Sequence, residues 1–126
     1  MLLGDEIYLM GKGLGAAFAT YMATECRSRD GVHPSSVFKG LILESAFTSV
    51  EGLFKHRTGG IVPKMFFSDN VWDTIGRLPR CQMKKMLIHG AEDDIIPVSM
   101  SRDLLQRCPD AELVIVPFCK HFQLWR

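Results

Sequence analysis

Three short stretches of the 126-residue chain carry side chains that could do chemistry together. The first is Gly11-Lys12-Gly13-Leu14-Gly15, which lies between the apolar run Ile7-Tyr8-Leu9-Met10 and a series of small and apolar residues reaching Met22. Glycines so spaced suit a turn sharp enough to strain its central residue and to bring neighbouring backbone close. When such a turn carries a reaction its pattern is G-x-S-x-G: a serine stands above the sheet, and the N–H of the next residue helps to hold an oxyanion. Here the centre is Gly13, which fits the turn and has no oxygen with which to attack a carbonyl. The second stretch runs from Leu87 to Pro97, an apolar piece followed by the acidic turn Glu92-Asp93-Asp94. The third, Phe118-Cys119-Lys120-His121-Phe122, offers one imidazole. A carboxylate that fixes the tautomer of a histidine makes that histidine a general base, so Asp93 with His121 is the pair to test.

These groups need a scaffold that brings distant segments to one edge. Ile7 to Met10 reads as a strand, and Leu14 to Cys26 as a helix whose Ala16, Ala17, Thr20 and Ala23 would let it approach a sheet closely. Arg27 to Ser36 is a polar connector. Gly40-Leu41-Ile42-Leu43-Glu44 and Lys85-Met86-Leu87-Ile88-His89 are continuous apolar runs of the kind found in buried parallel strands. Val98 to Cys108 is an amphipathic helix stopped by Pro109, and Leu113 to Val116 is a last strand ended by Pro117. Ser45 to Arg80 has no clean period and is expected to hold one helix and a long excursion over the carboxyl edge of the sheet. Strands alternating with helices predict a single α/β domain over residues 1–126: a three-layer open parallel sheet of four or five strands with helices on both faces.

Taken together, these residues resemble the α/β-hydrolase family of serine hydrolases, in its carboxyl-terminal half from the elbow strand onward. The order elbow, acid, histidine is that family's own. The nearest likeness is to the branch of membrane-anchored lipid hydrolases, protein depalmitoylases and acyl-aminoacyl or prolyl peptidases. It rests on the segment Leu43-Glu44-Ser45-Ala46-Phe47-Thr48-Ser49, on H-G-x-x-D-x-x-x-P from His89 to Pro97, and on Arg107-Cys108-Pro109. The resemblance implies Asp93 as the acid, with Asp94 its rival, His121 as the base, and Leu14 as an oxyanion donor through its N–H. It implies acyl transfer to water through a serine ester, on an ester, thioester or amide of a small acyl compound, lipid or peptide. Two departures qualify that expectation, since Gly13 stands at the nucleophile position and the half before the elbow strand, with the second oxyanion donor, has no counterpart in the chain. Loss of a triad serine lowers turnover by about 10⁶, so no serine-hydrolase activity is expected of this chain. A fragment, a partner covering the exposed elbow strand, or a non-catalytic pseudoenzyme that only binds are the corresponding expectations.

A competing pattern is present. Gly11, Gly13 and Ala16 satisfy G-x-G-x-x-A, and Glu44 ends the next strand where an acid meets a ribose hydroxyl in dinucleotide-binding domains. That reading leaves Asp93 and His121 without a role. Lys12 reads as solvated, His89 as structural, and Cys119 as an unactivated thiol. Neither Cys119 with His121 nor His33 with His56 makes a tetrahedral ligand set, and no cofactor or metal is expected. Met65, Phe66 and Phe67 would line an acyl pocket if the excursion is a lid. The formal net charge of +1, without basic clusters, excludes a phosphate-tracking nucleic-acid surface. The four cysteines share no CxxC spacing and no apolar run approaches membrane-spanning length, so free thiols and a cytoplasmic location are expected.

Overall fold

The computed structural model describes residues 5–60 and 72–125. Among these residues four strands form one sheet: β1 (Tyr8–Lys12), β2 (Gly40–Glu44), β3 (Lys84–Gly90) and β4 (Glu112–Val116). Their order is β1-β2-β3-β4 and every pairing is parallel. Helix α1 (Leu14–Glu25) links β1 to β2, α2 (Val50–Thr58) and the short α3 (Thr74–Arg77) lie between β2 and β3, and α4 (Val98–Arg107) links β3 to β4. The strands and the two long crossover helices match the sequence pattern to within two residues at each end. The parallel α/β architecture is therefore the one expected.

Local causes are readable in each element. Ala16, Ala19 and Ala23 are buried, so α1 lies close on β1 and β2. The Ser49 hydroxyl accepts from the Gly52 N–H at 2.9 Å and caps α2, which ends where Gly59 turns left-handed at φ 63°. On the helix side of the sheet Leu41, Leu43 and Leu87 pack with Leu78 and Leu104. Helices α1, α3 and α4 make up this layer, while α2 packs through Val50 and Leu53 on Phe47, Ile96 and Met100 beside the turn after β3. On the opposite face Ile42, Met86 and Ile88 are half-buried and Tyr8, Met10 and Val114 are exposed. Among the described residues of the 45–80 stretch there are two helices, α2 and α3, where one was expected; Met65, Phe66 and Phe67, the expected acyl-pocket residues, lie outside the described residues. All four cysteines are free. Among the described residues no helix is long and apolar enough to cross a membrane.

Candidate active site

Every strand of a parallel sheet ends on the same edge, so the segments that follow β1, β2, β3 and β4 converge there. At the end of β1, Gly13 has φ 55° and ψ −117°, and its N–H donates to the Glu44 carbonyl at 2.9 Å. The left-handed φ is what glycine tolerates and other residues resist. A Cβ on Gly11 would overlap the Gly15 carbonyl oxygen, which is why the strand can fold straight back into α1 only with glycine there.

The turn after β3 is built around Asp93. Its Oδ1 accepts from the N–H groups of Ile95 and Ile96, at 2.9 and 2.8 Å, and its Oδ2 accepts from His121 Nδ1 at 2.8 Å. Burial works to raise the pKa of Asp93. The Ile96 N–H, the His121 ring and the Ile95 N–H outweigh it, and the net shift is downward. Asp93 is therefore an anion at neutral pH. The His121 hydrogen must sit on Nδ1 to meet it, which leaves the lone pair of the neutral ring on Nε2. Asp94, the rival acid, is exposed and is not brought to His121.

His121 reaches Asp93 because two loops are stitched together. The Ala91 N–H donates to the Val116 carbonyl and the Glu92 N–H to the Cys119 carbonyl, at 2.9 and 3.0 Å. Gly90 makes the second bond possible, since a Cβ there would overlap the Cys119 carbonyl oxygen. Cys119 itself is buried, with its thiol toward the Lys120 carbonyl. His121 is 7% exposed, and a Cβ placed on Gly13 would lie 3.8 Å from its Nε2 and 3.9 Å from Ile96 Cδ1, ordinary van der Waals separations. The three expected positions, Gly13, Asp93 and His121, are thus brought to one point, with the Leu14 N–H in the first turn of α1 next to it.

Two further groups belong to this edge. His89, read from the sequence as structural, is fully buried with Nε2 2.8 Å from the Ile96 carbonyl and 3.3 Å from Asp93 Oδ2, while Nδ1 lies 2.7 Å from the Ser101 hydroxyl. Burial pushes its pKa down, so it is a neutral ring that donates from Nε2 and accepts from Ser101. The four-residue spacing of His89 and Asp93 was the available signal. Lys12 is not a solvated side chain: its Nζ is 2.7 Å from Glu44 Oε1 and 5.6 Å from the centroid of Phe122. Glu44, 1% exposed, also accepts from the Trp125 indole N–H. The carboxylate that the dinucleotide pattern would reserve for a ribose is thus engaged by Lys12 and Trp125. Phe122 stands edge-on to His121, the ring centroids 4.8 Å apart.

A parallel α/β sheet with an aspartate–histidine pair at its carboxyl edge, beside a strained strand-to-helix turn, defines the α/β-hydrolase class. Residues 9–122 match the family model described as serine hydrolase (FSH1), and the chain belongs to that family. It is 32% identical over 56 residues to a 2-hydroxy-6-oxo-6-phenylhexa-2,4-dienoate hydrolase of Delftia acidovorans, a match covering 44% of this chain and 20% of the relative. It is 24% identical over 115 residues, 90% of this chain and 38% of the relative, to an uncharacterized membrane protein of Saccharomyces cerevisiae. Among solved structures, the esterase domain of a Rhodothermus marinus protein superposes with a TM-score of 0.69 at 17% identity, covering 94% of this chain and 53% of that one. The chain therefore spans between a fifth and about half of the length of these relatives.

Proposed function

We propose that this chain carries the acid–base part of a serine-hydrolase site, with Asp93 as the acid, His121 as the base and Gly13 at the place of the nucleophile, and that it forms no acyl-enzyme. The substrate class is a carbonyl compound with an ester, thioester or amide bond, by membership of the family. The observation that carries the reading is the aim of His121: Nδ1 is held by Asp93 while Nε2 faces the position a Gly13 side chain would take. In a serine-bearing site that geometry lets Nε2 remove the hydroxyl proton as the oxygen attacks, and the N–H of the residue after the nucleophile meets the developing oxyanion. Leu14 would supply that N–H. With glycine at position 13 no hydroxyl is present, and the covalent half of the reaction has no atom to run on.

The test is covalent labelling with a fluorophosphonate. The unmodified chain is expected to stay unlabelled, Gly13→Ser to be labelled on the introduced hydroxyl, and Gly13→Ser with His121→Ala to lose the label. Labelling of the unmodified chain at this edge, or labelling of Gly13→Ser that ignores His121, overturns the reading.

A further inference from the structure

Deleting the serine of a triad usually idles its partners: removing nucleophile or histidine costs about as much as removing all three. A replacement side chain contributes to that result when its Cβ occupies the space in front of the imidazole. Gly13 has no Cβ. The turn keeps the left-handed φ of 55°, and the atoms nearest to where a Cβ would be, His121 Nε2 and Cε1 and Ile96 Cδ1, stand 3.8 to 3.9 Å away, so the position in front of Nε2 accepts a methyl-sized group at ordinary contact distance. The side facing Nε2 is polar, since the ring's Nδ1 hydrogen is committed to Asp93. The side facing Ile96 is apolar. His121 is nearly buried, 7% exposed. No thiol competes, because the nearest cysteine in sequence, Cys119, is buried with its sulfur toward the Lys120 carbonyl.

We propose that the room above Gly13 is a water site, and that His121 acts there as a general base, so that the chain hydrolyses small activated esters by one displacement with no covalent intermediate. The inference rests on the reading of Asp93 and His121 given above. A water at this position donates one hydrogen to Nε2. As its oxygen bonds to the ester carbonyl carbon, that proton passes to Nε2 and the carbonyl π electrons move to oxygen, where the Leu14 N–H can donate. The tetrahedral species then expels the leaving group, and the imidazolium proton passes to an alkoxide as it departs or, where a phenolate leaves unprotonated, to solvent. The products are the carboxylic acid and the alcohol; no oxidant or second reactant enters. His121 is restored, and Asp93 remains ionised throughout.

The experiment follows p-nitrophenyl acetate hydrolysis by the unmodified chain and four variants whose folding is checked by circular dichroism. The unmodified chain is expected to show steady release of nitrophenol without a burst, slower in D₂O, and His121→Ala to lose it by roughly 10²-fold, the scale of general-base assistance. Gly13→Ala places a methyl 3.8 Å from Nε2, where it crowds a water hydrogen-bonded to that nitrogen, and is expected to fall as far as His121→Ala. Gly13→Ser carries the same backbone strain as Gly13→Ala, so its expected burst isolates the hydroxyl from any effect on folding. Asp94→Asn is expected to match the unmodified chain. If the unmodified chain is no faster than His121→Ala while Gly13→Ser gives a burst, the water site is wrong and the reading of the dyad stands. If Gly13→Ser is silent as well, both fall. An acetyl group found on His121 by mass spectrometry would make the imidazole the nucleophile and overturn the proposal.

Discussion

Asp93 accepts hydrogen bonds from two backbone N–H groups and one imidazole while its side chain is shielded from water. Removing its charge therefore affects both the turn after β3 and the ring it orients. Because its pKa in the folded chain lies below that of an unfolded aspartate, near 3.9, its contribution to stability is present above about pH 4 and disappears as pH falls through the folded value. Asp93→Asn is expected to cost about 1–3 kcal/mol at neutral pH, the range for a hydrogen-bonded charged group. The gap from the unmodified chain should close on acidification below about pH 4, as read by urea unfolding at a series of pH values. A gap independent of pH would mean that the carboxylate charge contributes nothing to the fold. A second acid behaves similarly at the far end of the sheet: Asp110 is held down to about 2 by the Cys108 thiol and the Lys85 ammonium. Cys108 is in turn raised to about 11, first by burial and then by Asp110. That thiol should resist iodoacetamide at pH 8, where half-buried Cys26 reacts; mass spectrometry of the alkylated folded chain distinguishes them.

At the scale of elements, much was legible because strands and helices here follow hydrophobic pattern and breakers. The runs Leu41-Ile42-Leu43 and Met86-Leu87-Ile88 are apolar without alternation, and both became central strands. Pro97 and Pro109 bracket α4 as their chemistry dictates. Asp93 and His121 could be ordered along the chain, but their contact depends on the backbone bonds from Ala91 to Val116 and from Glu92 to Cys119, between loops far apart in sequence, which no local pattern encodes. The same limit hid Lys12, whose partner Glu44 is the adjacent residue across the β1–β2 register. Gly90 is the residue that couples the two loops. Gly90→Ala would drive a Cβ into the Cys119 carbonyl, so one loop must move. The expected result is a loss of about 1–3 kcal/mol from overpacking, with His121 displaced from Asp93. Loss of the downfield imidazole N–H signal by NMR, at a temperature where the variant is still folded, reads that displacement. Retention of the signal would show that the 118–121 segment yields elsewhere.

At the scale of the whole molecule, the sheet order among the described residues leaves β1 with one neighbour, and its outward side chains Tyr8 and Met10 are exposed together with Ile7. An exposed apolar edge at Ile7 to Met10, between Glu6 and Lys12, is what the sequence led one to expect. Lys12 offers no protection, since its ammonium is turned inward to Glu44. A parallel sheet is ordinarily covered on both faces, and here the face bearing Met10, Ile42, Met86 and Val114 is only partly so among the described residues. An unpaired apolar strand beside such a face is a template for association. The 126-residue chain on its own is therefore expected to sediment faster as its concentration rises. Burying a methionine is worth about 1.5–3 kcal/mol, so Met10→Lys should weaken that association by about tenfold or more while leaving unfolding of the helix-side core unchanged. Sedimentation velocity over a hundredfold dilution reads the first quantity and thermal unfolding at the lowest concentration reads the second. Coefficients that do not change with concentration in either chain would mean that the edge and the face beside it are already shielded.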